Sequence, residues 1–182
     1  MENESKLVKR AQSGDKHAFA ELIEHEQQRL YTLAVRELGS ASDAEDAVQE
    51  ALIRAWRALP RFRAEASFST WIYRIQLNAI HDQRSKRARG GGSPLDDVPE
   101  TADPRDALLA SELSGALQSA LNELDETYRA AVLMSDVSGL SYCEIAGILG
   151  VAEGTVKSRI FRGRAELARL LGTSGAAPES NL

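Results

Sequence analysis

The chain has 182 residues, 43% hydrophobic and 27% charged, with a formal net charge of −5, which suits one ordinary core or two small ones. No apolar run approaches the roughly 20 residues a membrane helix needs, and the charged start from Met1 to Arg10 has no apolar segment behind it, so a cytoplasmic, unprocessed protein without membrane insertion is expected. Cys143 is the single cysteine, which excludes an internal disulfide and a multi-cysteine zinc site.

Apolar residues recur at spacings of three and four and strict alternation is missing, so the predicted fold class is all-α, in two small helical domains. A first long helix carries Phe19, Leu22, Ile23, Leu30, Leu33 and Ala34 on one face. His17, Glu21 and His25 are spaced by four, as metal ligands on a helix would be. Three surface positions with nothing buried behind them read as solvated instead, and neither a metal nor a cofactor is expected. A second helix opens at Ser42, with Glu45 at capping-box spacing. It buries Ala47, Val48, Ala51, Leu52, Ala55, Trp56 and Leu59 before Pro60 stops it. A third helix starts near Ser67 or Ser69 and runs into the basic cluster "RSKRARG".

Along that third helix Trp71, Arg74, Asn78, His81 and Ser85 follow steps of three and four and form one stripe, while apolar residues occupy most of the remaining circumference. The stripe offers an aromatic stacking plane and a paired amide donor and acceptor, and Arg84, Lys86, Arg87 and Arg89 extend it as a track for phosphates. Taken alone, it fits a core tryptophan beside a solvated polar edge equally well.

Charge changes sign after this helix. Residues 61 to 89 carry seven Lys/Arg against Glu65 and Asp82, whereas residues 90 to 126 carry nine acids against Arg105 alone. The switch falls in "GGGSPLDDVPETADP", where glycines, prolines and acids without periodicity have the composition of a linker. Fully extended, Gly90 to Asp106 would span about 55 Å. The predicted boundaries are therefore a first domain over 1–89, a linker over 90–106, a second domain over 107–171 and a disordered tail over 172–182. Two basic surfaces separated by an acidic stretch suit contact with an anionic polymer at two places.

The second domain begins with Leu109, Leu113, Ala116, Leu117, Ala120 and Leu121 on one face. A helix around Tyr128 to Ser135 follows, and Gly139 breaks it. Ser141 and Glu144 have capping-box spacing for a short helix closed by Gly150, and a last helix runs from about Ala152 to Leu171. A capped short helix, a glycine turn and a longer helix have the proportions of a helix-turn-helix. On a 100° wheel Val156, Ile160, Gly163 and Leu167 point inward, and Ser158, Phe161, Arg162 and Ala165 lie opposite. An outward aromatic beside a hydroxyl and a guanidinium is costly surface unless something covers it. A DNA major groove would do so, since Arg reads guanine, Ser meets either base and an apolar side chain meets thymine methyls. Lys157, Arg159 and Arg164 flank that face, where phosphates would run. The competing reading packs Phe161 on another helix and leaves the arginines solvated; the capped helix and Gly150 turn weigh against it. No nucleophile, base and orienting group stand together, so no enzyme is expected.

In order along the chain, "DAEDAVQEALIRAW", "RFRAEASFSTWIYRIQLNAIHD" and "LSYCEIAGILGVAEGTVKSRIFRGR" resemble regions 2.2, 2.3 to 2.4 and 4.2 of an extracytoplasmic-function sigma factor of bacterial RNA polymerase. The resemblance covers about residues 15 to 171 and leaves no room for the additional regions of housekeeping sigma factors. It implies that the first domain binds the clamp helices of the β′ subunit through Asp46, Gln49 and Glu50 and opens the −10 element. Phe62 and the loop from Arg63 to Ser67 would pocket a flipped base, with Trp71 and Asn78 at the melted junction. Lys157, Ser158, Phe161 and Arg162 would read the −35 element as duplex, with the β flap as a second polymerase contact and a separate anti-sigma factor as the restraint. Two positions depart from the family pattern: Ala64 follows the loop arginine where many members have Gly, and Ala152 stands where a Ser-like cap is usual. Two other functions compete, a helix-turn-helix repressor or activator acting without replacing sigma, and an adaptor bundle that binds polymerase without reading promoters. The Trp71 to Asn78 stripe, which a repressor's dimerisation domain would not need, favours the sigma factor.

Overall fold

The computed structural model describes residues 4–90 and 115–172, and all regular structure among them is helical. The expected linker beyond Gly90, Leu109 and Leu113, and the tail after Gly172 lie outside the described residues.

Helix α1 (Glu4–Gln12) buries Leu7, Val8 and Ala11, a face spaced i, i+1, i+4 within an otherwise charged stretch. Asp15 then caps α2 (Lys16–Glu24), its carboxylate accepting from the backbone N–H groups of His17 and Ala18 at 2.9 and 3.2 Å. The single long helix expected over Phe19 to Ala34 is two helices. The chain turns at His25 and Glu26, where the Glu26 N–H reaches back to the Ile23 carbonyl at 2.8 Å, and resumes as α3 (Gln27–Leu38). The apolar period barely registers the break, because both pieces face the same core.

Gly39, at φ +68, ends α3 in the left-handed region and leaves Ser40 extended, the backbone an N-cap requires. Ser40 Oγ accordingly accepts from Asp43 N at 3.2 Å and opens α4 (Ala41–Ala58). The capping pair is thus Ser40 and Asp43 rather than Ser42 and Glu45; Ser42 is already inside the helix. A short 3₁₀ turn, Leu59–Arg61, takes up Pro60, and the long α5 (Phe68–Gly90) starts where Ser67 Oγ accepts from Thr70 N at 3.1 Å. Ala44, Ala47, Ala51 and Ala55 line the buried face of α4, so small side chains bring it close to α3 and α5. Leu30, Leu33, Ile72 and Tyr73 fill the core between these helices with no measurable exposure.

The second half is α6 (Gly115–Glu123), α7 (Glu126–Asp136), α8 (Tyr142–Leu149) and α9 (Glu153–Leu170). The Ser141–Glu144 capping box is complete: Glu144 N donates to Ser141 Oγ at 3.3 Å and Ser141 N to Glu144 Oε2 at 2.8 Å. These contacts hold the Glu144 carboxyl below its usual range, first through the Ser141 hydroxyl and then through its N–H. Gly150, at φ +66, closes α8, and α9 starts at Ala152 without a side-chain cap.

The two halves pack on each other. Glu37 of α3 is 3% exposed, and its Oε2 accepts from Arg129 Nε of α7 at 3.0 Å and from Arg84 Nη2 of α5 at 2.9 Å. Arg84 also pairs with Glu126 at 3.2 Å. Arg129, itself buried, donates further to the Leu121 carbonyl at 2.8 Å. Gln118 of α6 donates to the Arg36 carbonyl at 3.2 Å. No helix among the described residues is long and apolar enough to cross a membrane.

Candidate nucleic-acid interface

The last helix separates its faces as the wheel predicts. Val156, Ile160 and Gly163 are buried and Leu167 is half-buried. Gly163 permits this seating, because a Cβ there would stand 2.6 Å from Val132 Cγ2 and 3.3 Å from the Tyr128 carbonyl oxygen. The opposite side is open: Phe161 is 64% exposed, and Lys157, Ser158, Arg162 and Ala165 are exposed with it. A face this apolar at its centre and this cationic around it has the chemistry of a groove-reading helix. Ser158 Oγ donates to the Thr155 carbonyl at 2.9 Å, which leaves the oxygen's lone pairs outward. Arg159 is half-buried at the flank. Arg164 is ion-paired with Asp136 of α7 through both Nε and Nη2, so its fork is engaged by α7.

The α5 stripe is partly open and partly engaged. Arg74, Asn78 and His81 are exposed, and Trp71 and Ser85 are half-buried. The Trp71 ring sits in an aromatic cluster, 4.8 Å from Phe62 and 5.7 Å from Phe68 between centroids. Phe62 and Trp71 are thereby brought together at the foot of the loop from Arg63 to Ser67, whose Arg63, Ala64, Glu65 and Ser67 are exposed. Ala64 adopts φ +53, the left-handed conformation that glycine takes at no steric cost. The loop faces a cavity of about 620 Å³.

The basic extension of α5 is less open than its composition suggests. Arg84 is held by Glu37 and Glu126, and Arg87 bonds Asp43 at 3.2 Å and the Leu38 carbonyl at 3.3 Å. Arg74 donates through Nε at 2.9 Å, and again through Nη2, to the Gly147 carbonyl of α8 in the other half. Of the expected phosphate track, Lys86 and Arg89 are exposed, and Lys86 lines a shallow cleft between α4 and α5 rather than the stripe itself. These ion pairs join positions 44 and 47 residues apart, for which no local pattern gives a signal.

That cleft, about 190 Å³, gathers Asp46, Gln49 and Glu50. Asp46 and Gln49 are exposed and Glu50 half-buried. Arg54 ties Glu50 to Asp82 of α5, each at 2.7 Å, and its bond to Asp82 holds that carboxyl below its usual range. Ile53, 39% exposed, adds an apolar centre one turn after Gln49. Sequence reasoning passed over it, although the i, i+4 spacing from Gln49 places both on one face.

Residues 22–90 match Sigma-70 region 2 and residues 114–167 match Sigma-70 region 4. The chain is 40% identical over 170 residues to the ECF RNA polymerase sigma factor SigM of Mycobacterium tuberculosis, covering 93% of this chain and 85% of that one. Among solved structures it is similar to CnrH in complex with the cytosolic domain of CnrY, with a TM-score of 0.69 and 30% identity over 93% of this chain and 97% of that one. It is also similar to the sigma factor RpoE in complex with the anti-sigma factor NepR from Bartonella quintana, with a TM-score of 0.68 and 28% identity over 86% of this chain and 98% of that one.

Proposed function

The chain belongs to the ECF sigma factors of the sigma-70 family of bacterial RNA polymerase, and on that premise we propose how its surfaces divide the work of promoter-specific initiation. The first half, over 1–89, docks on the β′ clamp helices of the core enzyme through Asp46, Gln49, Glu50 and the exposed Ile53. An apolar residue ringed by polar ones is the usual composition of a protein contact. The same half opens the −10 element, with the Arg63 to Ser67 loop receiving a flipped base and Trp71, Asn78 and His81 meeting the exposed strand. Unstacking a base costs a few kcal/mol and favours easily melted sequence.

The second half, over 107–171, reads the −35 duplex. The observation that carries this reading is Phe161, 64% exposed on the face opposite a packed stripe, with Ser158 and Arg162 beside it to meet base edges. Lys157 and Arg159 would lie along the phosphates, and the β flap supports this half on the polymerase. A sigma factor is a regulator without an enzymatic reaction of its own, and work with core polymerase places it in the cytoplasm. Restraint by an anti-sigma factor follows from the solved relatives, whose complex partners include one. Run-off transcription with purified core polymerase on genomic promoter fragments of the host tests the reading. Transcripts that start at defined positions only when the protein is added support it. Their absence, with the protein alone retaining duplex fragments, rejects it in favour of a helix-turn-helix repressor.

A further inference from the structure

Helix α1 precedes the segment that matches region 2, which begins at residue 22, and its role is open. Its polar side chains converge on the base-reading loop. The Gln12 amide donates to the Phe62 carbonyl at 2.7 Å and to the Leu59 carbonyl at 3.2 Å, bonds that span 50 and 47 residues. At the other end of the loop Glu4 Oε1 accepts from Phe68 N at 3.3 Å, satisfying one of the backbone donors that a helix start leaves free. The loop is therefore tied to α1 at both ends, and between the ties Ala64 is held at φ +53. Such a conformation persists only where its surroundings dictate it.

The 620 Å³ cavity lies between the two, with Ser5, Val8, Lys9 and Gln12 on the α1 side and Phe62, Arg63 and Ser67 among the residues on the loop side. Val8 and Phe62 provide apolar surface for a base; Glu4 and Glu65 also line the cavity, and with Arg63 4.0 Å from Glu65, Lys9 is the cation placed to meet its phosphate. The lining mixes apolar surface with polar groups and charges of both signs. That mixture suits an unpaired nucleotide, apolar on its base and anionic on its phosphate.

We propose that α1 is the second wall of the −10 nucleotide pocket, with Gln12 as the positioning residue that sets the loop and Lys9 as the cation that meets the nucleotide's phosphate. The inference rests on the sigma-factor reading of the loop. Gln12 acts through the loop backbone: losing its donor takes the side-chain bond from the Phe62 carbonyl, while the Leu59 carbonyl keeps the Phe62 N–H at 3.0 Å, and the pocket loses the shape that selects one base. Lys9 acts on any nucleotide alike.

The test uses holoenzyme reconstituted from core polymerase and the full chain, bound to promoter DNA carrying a pre-opened bubble whose non-template −10 strand is randomised, with the retained strands sequenced. Gln12→Glu keeps the shape and removes the donor. It should reduce base preference at one position about fivefold or more, in the range a single base contact controls, with preferences at the other positions and core affinity unchanged. Gln12→Ala should do the same. Lys9→Ala should weaken retention of all sequences equally and lower the salt dependence. Preference retained by both Gln12 variants overturns the inference while leaving the sigma reading intact. A wild-type holoenzyme that transcribes but shows no base preference at any position overturns the pocket assignment, and the inference with it. Failure of the wild-type protein to support transcription rejects the sigma reading itself.

Discussion

Replacing Glu37 by glutamine removes one negative charge and little else, at a site where two cations converge. Glu37 is 3% exposed and Arg129 5%, and both arginine contacts fall on the same oxygen, Oε2. After the change Arg84 keeps Glu126. Arg129 keeps the carbonyls of Leu121, Leu124 and Asn122, at 2.8 to 3.4 Å, but has no counter-charge. Breaking a buried pair from one side costs about 3–5 kcal/mol because the surviving ion stays desolvated. The carbonyls that still solvate Arg129, and the buried Glu37 Oε1 that makes no hydrogen bond even now, place this case at the lower end, about 3 kcal/mol. For a chain of this length that is a fall in melting temperature of about 6–12 °C. Thermal unfolding followed by circular dichroism reads it directly, and a double-mutant cycle with Arg129→Met isolates the pair. Additive effects of the two substitutions, or a Glu37→Gln melting temperature within about 2 °C of the wild type, would refute the claim that this ion pair joins the halves.

Gly163→Ala puts a methyl into Val132 and the Tyr128 backbone and should cost about 1–3 kcal/mol by overpacking, offset by the roughly 1 kcal/mol alanine gains in helix propensity; a denaturant midpoint raised above wild type would contradict the close approach of α7 and α9. Ala64→Gly relieves a left-handed alanine and, after the added flexibility of the unfolded chain, should stabilise by about 0.5–1 kcal/mol; destabilisation in the same assay would show the loop unstrained. Glu144, held below its usual range by Ser141, contributes stability present above its unfolded value and lost as pH falls through the lower folded one. Glu144→Gln should therefore flatten the acid side of the stability–pH curve and leave its neutral-to-alkaline slope unchanged, and parallel acid limbs would argue against the capping role. Phe161→Ala or Arg162→Ala should each reduce discrimination among −35 variants by about 1–3 kcal/mol, with stability altered by under about 0.5 kcal/mol; unaltered discrimination in binding competition would remove α9 from the groove.

Local chemistry made most of the helices legible, and the failures also have local causes. Ser40 and Asp43 have the same spacing as Ser42 and Glu45, so spacing alone does not choose between them. The deciding residue is Gly39, whose positive φ ends α3 and sets Ser40 in the extended conformation. Helix α1 went unread because three apolar residues among nine give a weak period, although Leu7, Val8 and Ala11 do share a face. Glu37 lies on the same face as Leu30, Leu33 and Ala34, and a carboxylate on a buried stripe requires a cation. Which cation is settled 92 residues away in Arg129, where no sequence period reaches. The basic run of α5 read as a free phosphate track because composition records charge and not partners; Arg84 and Arg87 meet carboxylates of α3, α4 and α7 instead.

The reading helix was legible because a single geometry fixes both of its faces. Gly163 weakens α9 by about 1 kcal/mol relative to alanine, and the absence of a side-chain cap at Ala152 costs about as much again. A helix that carries both penalties is held in place by packing rather than by propensity. That packing runs through Val156, Ile160 and Gly163 against α7 and α8, and it fixes the rotation of the helix about its own axis. With the rotation fixed, Ser158, Phe161 and Arg162 must point away from the core. The glycine that lets α9 approach α7 therefore also aims the face that meets DNA, and a change at Gly163 should alter −35 recognition even though it touches no base.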